Sequence, residues 1–344
     1  MQRRSLFAAP VLLAAPSLIR QASAQAAPRI VTEEFMVPTG DAGIEVFLRS
    51  KRQDGAAAAP GRTLLMLHGG LFGASTSFDL PFAGVSWVDY IAARGFDVWT
   101  LDMRGFGRAS RPAALAAPAE SNPPAVRGAE AMRDLAAAVA HIRRTRGIER
   151  LGLLGHGWNS VQAGRYAVEQ PAEVERLVLF GTPWLREGAA RPAAALPAWR
   201  ALTQAQLREQ ALAEAPEDRR AALLPPGWFE HFAGLTWALD PDGVRQNPQV
   251  LRVPYGSAAD QVETWNAGQP GWDPAGVRAP ALVVVGEWDR TTPPAMGLAA
   301  FQRLTRSPAK RFVVVGDGTH QMWMERNRGA LFQAVQVFLE EAAG

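Results

Sequence analysis

The strongest constraint on this chain is an alternation of short apolar runs with longer amphipathic stretches. The runs are Thr63–Leu67, Asp97–Leu101, Leu151–Leu154, Leu177–Phe180, Ala281–Val285 and Arg311–Val315. Between and after them, helical spacing appears over Trp87–Arg94, Glu130–Arg146, Ser160–Gln170, a segment after Pro294, and Arg328–Glu341. A continuous apolar run suits a strand covered on both faces. Strands joined by helices pair in parallel through right-handed crossovers. The expected class is therefore α/β, a mostly parallel sheet flanked by helices. Ahead of it, Ile30–Val37 and Ile44–Arg49 flank a Pro-Thr-Gly-Asp-Ala-Gly turn and predict a β-hairpin.

The stretch 184–272 breaks the alternation and holds six of the eleven tryptophans. It reads as a helical cap inserted into a core formed by 27–183 and 273–344. Trp184, Trp228, Trp237 and Trp265 are candidates for lining an apolar pocket beneath it. The alternative is that the tryptophans fill the cap's own small core. Residues 111–127, rich in alanine and proline, predict a loop.

Residues 1–26 carry Arg3, Arg4 and Arg20 and no acid. Arginines, an apolar segment ending at Ile19, and Ala22-Ser23-Ala24 make a secretory signal. The arginine pair before Ser5-Leu6-Phe7 resembles the twin-arginine export signal. The expectation is a periplasmic or secreted protein with no stable membrane span after cleavage. Without those three arginines, the 36 basic residues fall to 33, equal to the 33 acids. The basic balance is therefore no sign of a nucleic-acid partner, which calls for a basic stripe on the folded domain. The absence of cysteine excludes disulfides, thiolate metal sites and a cysteine nucleophile. His141 and His231 have no metal-ligand spacing, so neither a metal nor a cofactor is expected.

Ligands of open α/β sheets bind at the carboxyl ends of the strands. There the chain places His68-Gly69-Gly70, then Asp102-Met-Arg104-Gly105-Phe-Gly107, then Gly155-His156-Gly157-Trp158-Asn159, then Glu287-Trp288-Asp289, then Thr319-His320. This ordered set resembles the α/β-hydrolase superfamily over essentially all of the chain after the signal. Within it the set is loosely similar to the proline iminopeptidase and small-molecule esterase branch. Leu71-Phe72 departs from the usual proline and glycine after HGG.

The resemblance implies an α/β-hydrolase fold with Asp289 and His320 as acid and base, and an oxyanion hole from the backbone N–H of Trp158 and of Gly70 or Leu71. It also implies a nucleophile at the centre of a G-x-S-x-G elbow, and that position is Gly157. Glycine offers no attacking atom. Losing the serine of such a triad costs about 10⁶ in turnover. Glycine also relieves the strain of the elbow backbone, which favours a natural divergence. Ser160 reads as a helix-packing residue and His156 as packed beside the sheet. His68, Asp102 and Arg104 read as braces, and Glu287 has no assigned role.

Two classes of function follow. One is an enzyme in which His320 and Asp289 act on a small, apolar ester, lactone or amide-like substrate without a covalent intermediate. The other is a catalytically silent member that binds a small ligand or a partner. A serine hydrolase inactivated at Gly157 is a third possibility.

Overall fold

Every residue of Thr63–Leu67, Leu151–His156 and Ala281–Gly286 is buried, as strands covered on both faces require. These segments are interior strands of an eight-stranded sheet in the computed structural model, which describes residues 28–57, 59–186 and 196–341. The expected signal segment, 1–26, lies outside the described residues. The strands are β1 (Ile30–Pro38), β2 (Glu45–Gln53), β3 (Thr63–Leu67), β4 (Asp97–Asp102), β5 (Leu151–His156), β6 (Val174–Phe180), β7 (Trp199–Leu202), β8 (Leu251–Pro254), β9 (Ala281–Gly286) and β10 (Lys310–Val315).

The large sheet runs β1-β2-β4-β3-β5-β6-β9-β10. The hairpin pair β1–β2 and the pair β2–β4 are antiparallel, and all pairs from β4 to β10 are parallel. The chain leaves β3 toward β4 and returns past it to β5. The switch point of the sheet therefore lies between the ends of β3 and β5, where a ligand crevice is expected.

The helices are α1 (Ala74–Ser77), α2 (Trp87–Ala92), α3 (Gly128–Arg146), α4 (Trp158–Glu169), α5 (Gln204–Ala213), α6 (Arg220–Leu223), α7 (Trp228–Ala238), α8 (Pro241–Val244), α9 (Gly256–Glu263), α10 (Pro294–Arg303) and α11 (Arg328–Glu340). Trp87 of α2 stacks on Phe332 of α11 at 5.0 Å, while α3 and α4 pack together over the sheet. The α3 helix starts where the Glu130 carboxylate accepts the Arg127 N–H, and it stops at Gly147, which takes φ +64°.

The insertion between β6 and β9 carries helices α5 to α9. The expectation of a purely helical cap needs correction, because β7 and β8 form an antiparallel pair inside it. Arg252 of β8 is locked to the buried Asp240, which holds this small sheet against α8. The loop 111–127 carries two short 3₁₀ turns, Ala113–Leu115 and Ala119–Ser121.

Leu71-Phe72 finds its reason in the cap. Phe72 meets Phe232 of α7 edge-on at 4.9 Å, and Phe232 in turn meets Trp323 at 5.3 Å. The aromatic residue that replaces a small one after HGG thus anchors α7 to the core.

Candidate active site

Strand β5 ends at His156 and helix α4 begins at Trp158, so a single residue makes the turn. That residue is Gly157, with φ +53° and ψ −124°. A side chain at such a φ carries strain of about 1–3 kcal/mol, and glycine carries none of it. Gly157 N donates to Phe180 O at 2.9 Å, which fixes the turn to the end of β6.

The neighbours of Gly157 are packed rather than reactive. Ser160 Oγ lies 2.6 Å from the Gly157 carbonyl and 2.8 Å from Thr182 Oγ1, fully buried within the fold. Asn159 donates from Nδ2 to the His68 carbonyl at 2.8 Å, tying the elbow to the end of β3. His156 stacks on Phe180 at 4.3 Å, and its Nε2 is 3.0 Å from the His320 carbonyl oxygen. Burial, and then the neighbouring His320, push its pKa well below the ordinary value, so it is neutral.

Asp289 follows β9 and His320 follows β10. The parallel pairing of these strands, with the Trp288 N–H bonded to the Gly318 carbonyl, brings the two loops together. His320 Nδ1 stands 2.8 Å from Asp289 Oδ2. Thr292 holds the carboxylate through its N–H to Oδ1 at 2.6 Å and its hydroxyl to Oδ2 at 2.8 Å. Nδ1–H facing the carboxylate leaves Nε2 as the basic nitrogen. Nε2 points at the side of Gly157 from which a Cβ would project, 3.0 Å from that point. Burial alone would lower the His320 pKa, but the Asp289 carboxylate, helped by Glu214 and Glu325, raises it above the ordinary value.

Trp158, Gly70 and Leu71 line the same cavity as His320, and their backbone N–H groups have no acceptor among the described residues. Trp158 is held in place by its indole N–H, which donates to Asp260 Oδ2 of α9 at 2.9 Å. A Cβ on Gly70 would fall 2.7 Å from the Ser257 hydroxyl, so only glycine fits under the cap there.

The family model described as alpha/beta hydrolase fold matches residues 62–326. The chain belongs to the α/β-hydrolase fold family. Solved structures agree on the fold at low identity. A 2-hydroxy-6-oxo-6-phenylhexa-2,4-dienoate hydrolase from Rhodococcus sp. is 18% identical, with TM-score 0.60, 91% of this chain and 100% of that one covered. A bromoperoxidase from Bacillus anthracis is 18% identical, with TM-score 0.57, 90% and 100% covered. A thioesterase domain from the curacin biosynthetic pathway is 15% identical, with TM-score 0.57, 90% and 100% covered. No curated protein sequence matches the chain.

In this α/β-hydrolase-fold chain, a cavity of about 400 Å³ is lined by Gly157, His320, Trp158, Gly70 and Leu71 together. That volume suits a small molecule. Of the four candidate cap tryptophans, Trp184 and Trp265 line it. Trp228 and Trp237 are not among the lining residues. Trp228 stacks on Phe82 at 4.8 Å with Arg328 over its face, and Trp237 is 1% exposed within the apolar core. They serve packing, because α7 turns one face, with Phe229, Phe232, Ala233 and Trp237, inward and leaves the other to solvent.

The braces are buried and bonded. The His68 pKa is lowered by burial, and Nδ1 sits 2.6 Å from the Gly69 carbonyl while Nε2 accepts from the Met103 N–H. Asp102 accepts from Ser75 and from the Arg108 N–H, and Arg104 pairs with Asp134 and Asp41. Glu287 accepts the Asp317 N–H at 3.1 Å. His141 packs on Phe35 and His231 on Phe82, far apart in the chain and on different elements.

Sequence reasoning missed Glu214 and Glu325. Glu214 of the cap accepts the His320 N–H at 2.8 Å and the Thr291 hydroxyl at 2.6 Å. Glu325, five residues past the base, accepts the Thr319 N–H at 3.1 Å. Burial first, with Glu214 and Asp289 adding to it against the Thr319 bonds, pushes Glu325 up to about 7. Among the described residues no cluster of acids and histidines could hold a metal ion, and no helix is long and apolar enough to cross a membrane.

Proposed function

We propose that this chain is an exported hydrolytic enzyme that acts on a small, largely apolar ester, lactone or amide-like substrate without forming a covalent intermediate. The observation that carries the reading is the His320–Asp289 contact of 2.8 Å with Nε2 turned toward Gly157 in the cavity wall. A base held in one tautomer and facing the substrate space has work only if a proton is to be moved.

In this reading, His320 Nε2 takes a proton from a water molecule as its oxygen attacks the substrate carbonyl. The developing oxyanion is met by the N–H groups of Trp158 and of Gly70 or Leu71. Asp289 stabilises the imidazolium so formed. On collapse of the tetrahedral intermediate, the imidazolium gives its proton to the leaving oxygen. Glycine at 157 leaves the attacking position to water rather than to a serine oxygen. The raised His320 pKa makes the neutral ring a stronger base.

The test is hydrolysis of a panel of p-nitrophenyl esters and aryl lactones by the protein without residues 1–26, beside His320→Ala. General-base assistance of this kind is worth about 10²–10⁴ in rate, and the variant is expected to lose that factor. The G-x-S-x-G elbow departs at two positions, Gly157 in place of its serine and Asn159 in place of its last glycine, and this favours a second reading, a silent member that binds a ligand in the same cavity. Equal turnover and equal ligand affinity in the two proteins would select it. Export rests on the twin-arginine-like leader and is tested by fractionating cells that express the full chain and a version with Arg3 and Arg4 changed to Lys.

A further inference from the structure

The cavity wall contains two arginines and, among the described residues, no carboxylate. Arg186 and Arg200 both line it, half-buried. Among the described residues, the fold's most buried arginines are met either by acids, as Arg49 by Asp79, Arg104 by Asp134 and Arg252 by Asp240, or by two backbone carbonyls each, as Arg176 and Arg328. Arg186 is fixed along the wall by its backbone N–H to the Trp265 carbonyl at 3.0 Å and by Nη2 to the Thr291 carbonyl at 2.7 Å. Those bonds leave most of its guanidinium donors unused. Arg200 stands on β7 opposite Val253 and lies over the Tyr255 ring at 5.6 Å. Neither finds a counter-ion among the described residues.

A half-buried cation without a partner is costly, and an anion that enters beside it offsets that cost. The guanidinium fork matches a carboxylate in two parallel hydrogen bonds. Trp184 and Trp265 give the same cavity apolar walls.

We infer that the substrate carries a free carboxylate, remote from the bond to be broken, which Arg186 and Arg200 hold while its apolar body lies against Trp184 and Trp265. The inference rests on the reading of this cavity as the substrate site. It narrows the ligand class from apolar compounds in general to amphipathic monocarboxylates. It also assigns the two arginines a role in orientation: a carboxylate clamped at the cap end fixes how far the carbonyl reaches toward His320.

Binding can be followed without turnover through the fluorescence of the cavity tryptophans. Benzoate, 4-phenylbutanoate and hexanoate are each titrated against the matching neutral amide, with phenyl phosphate alongside, into wild type, Arg200→Gln, Arg200→Lys and Arg186→Gln/Arg200→Gln. The expected result is that at least one acid binds about tenfold or more tightly than its amide, which a bidentate charged contact supports. The preference should shrink in Arg200→Gln, survive in part in Arg200→Lys and vanish in the double variant, with an unchanged far-UV circular dichroism spectrum and a cooperative thermal transition as the control for folding. The inference is overturned if no acid outbinds its amide, if the preference survives the double variant, or if phenyl phosphate binds more tightly than every carboxylate. A carboxylate preference without His320-dependent turnover would uphold this inference and sink the catalytic reading. Turnover that depends on His320 without any such preference would do the reverse.

Discussion

A Cβ placed on Gly157 would stand 3.0 Å from His320 Nε2. That is tighter than most contacts a Cβ makes, so the imidazole stands against the ground that a side chain at 157 would claim. Gly157→Ala is therefore expected to fail twice. The backbone φ of +53° costs a side chain about 1–3 kcal/mol, to be read in denaturant unfolding. The ring must also give by a few tenths of an ångström, so turnover is expected to fall. Unchanged stability and turnover in Gly157→Ala would mean that neither the strain nor the contact matters.

Gly157→Ser carries the same strain but adds a nucleophile. With Nε2 already aimed at the position, rapid mixing with a p-nitrophenyl ester should show a burst of p-nitrophenol stoichiometric with the protein. Linear release from the first time point would indicate that the elbow and the dyad are not in register for covalent chemistry.

The pH dependence has a defined sign. His320 acts as a base only when neutral, and its pKa stands above the ordinary 6.5. Turnover should therefore rise with pH through an inflection above 6.5. Burial opposes this rise in pKa and Asp289 is the chief cause of it, so Asp289→Asn should move the inflection downward as well as lower the rate. An inflection below 6.5 in the wild type would contradict the account.

Glu325 makes a separate claim on stability. Its folded pKa of about 7 exceeds the 4.5 of a free carboxyl. The folded protein thus keeps a proton that the unfolded chain has released at neutral pH. The stability this group contributes is complete below about pH 4.5 and is lost as pH rises through about 7. Glu325→Gln should raise Tm at about pH 8 and leave it unchanged at about pH 4.5, with a gain of at most roughly 3 kcal/mol. A gain of equal size at both pH values would show that the effect is not one of protonation.

The cap tryptophans separate by position. Trp237 is fully enclosed, so Trp237→Ala should cost about 3–5 kcal/mol in stability. Trp265 lines the cavity, so Trp265→Ala should raise KM with a smaller loss of stability. The opposite pattern in unfolding and KM measurements would place the substrate elsewhere.

What the sequence made legible, and what it hid, divides along the same physical line. Thr63–Leu67 and Ala281–Gly286 were readable because a strand buried on both faces must be apolar at every position. The elbow and Asp289 were readable because each follows such a strand, and His320 because it follows the apolar run Phe312–Val315 of the edge strand β10. The pair β7–β8 was not, because its two short strands lie far apart in the chain and neither alternates. Trp228 and Trp237 could not be told from Trp184 and Trp265, since residue type gives volume and polarity but not direction. Arg186 and Arg200 were hidden among many arginines, most of them paired at the surface, and only the fold shows which face the cavity. Glu214 reaches the His320 backbone from more than a hundred residues away, a contact that no local pattern announces.

The central claim is that His320 and Asp289 catalyse hydrolysis with water, not a side chain, as the attacking group. The most direct measurement joins rapid-mix kinetics on the best p-nitrophenyl ester with the intact mass of the protein quenched during turnover. The account predicts linear p-nitrophenol release with no burst, no acyl adduct in the mass, and a rate that falls about 10²-fold or more in His320→Ala. An acyl adduct on the wild-type chain, or a rate that His320→Ala leaves intact, would contradict it.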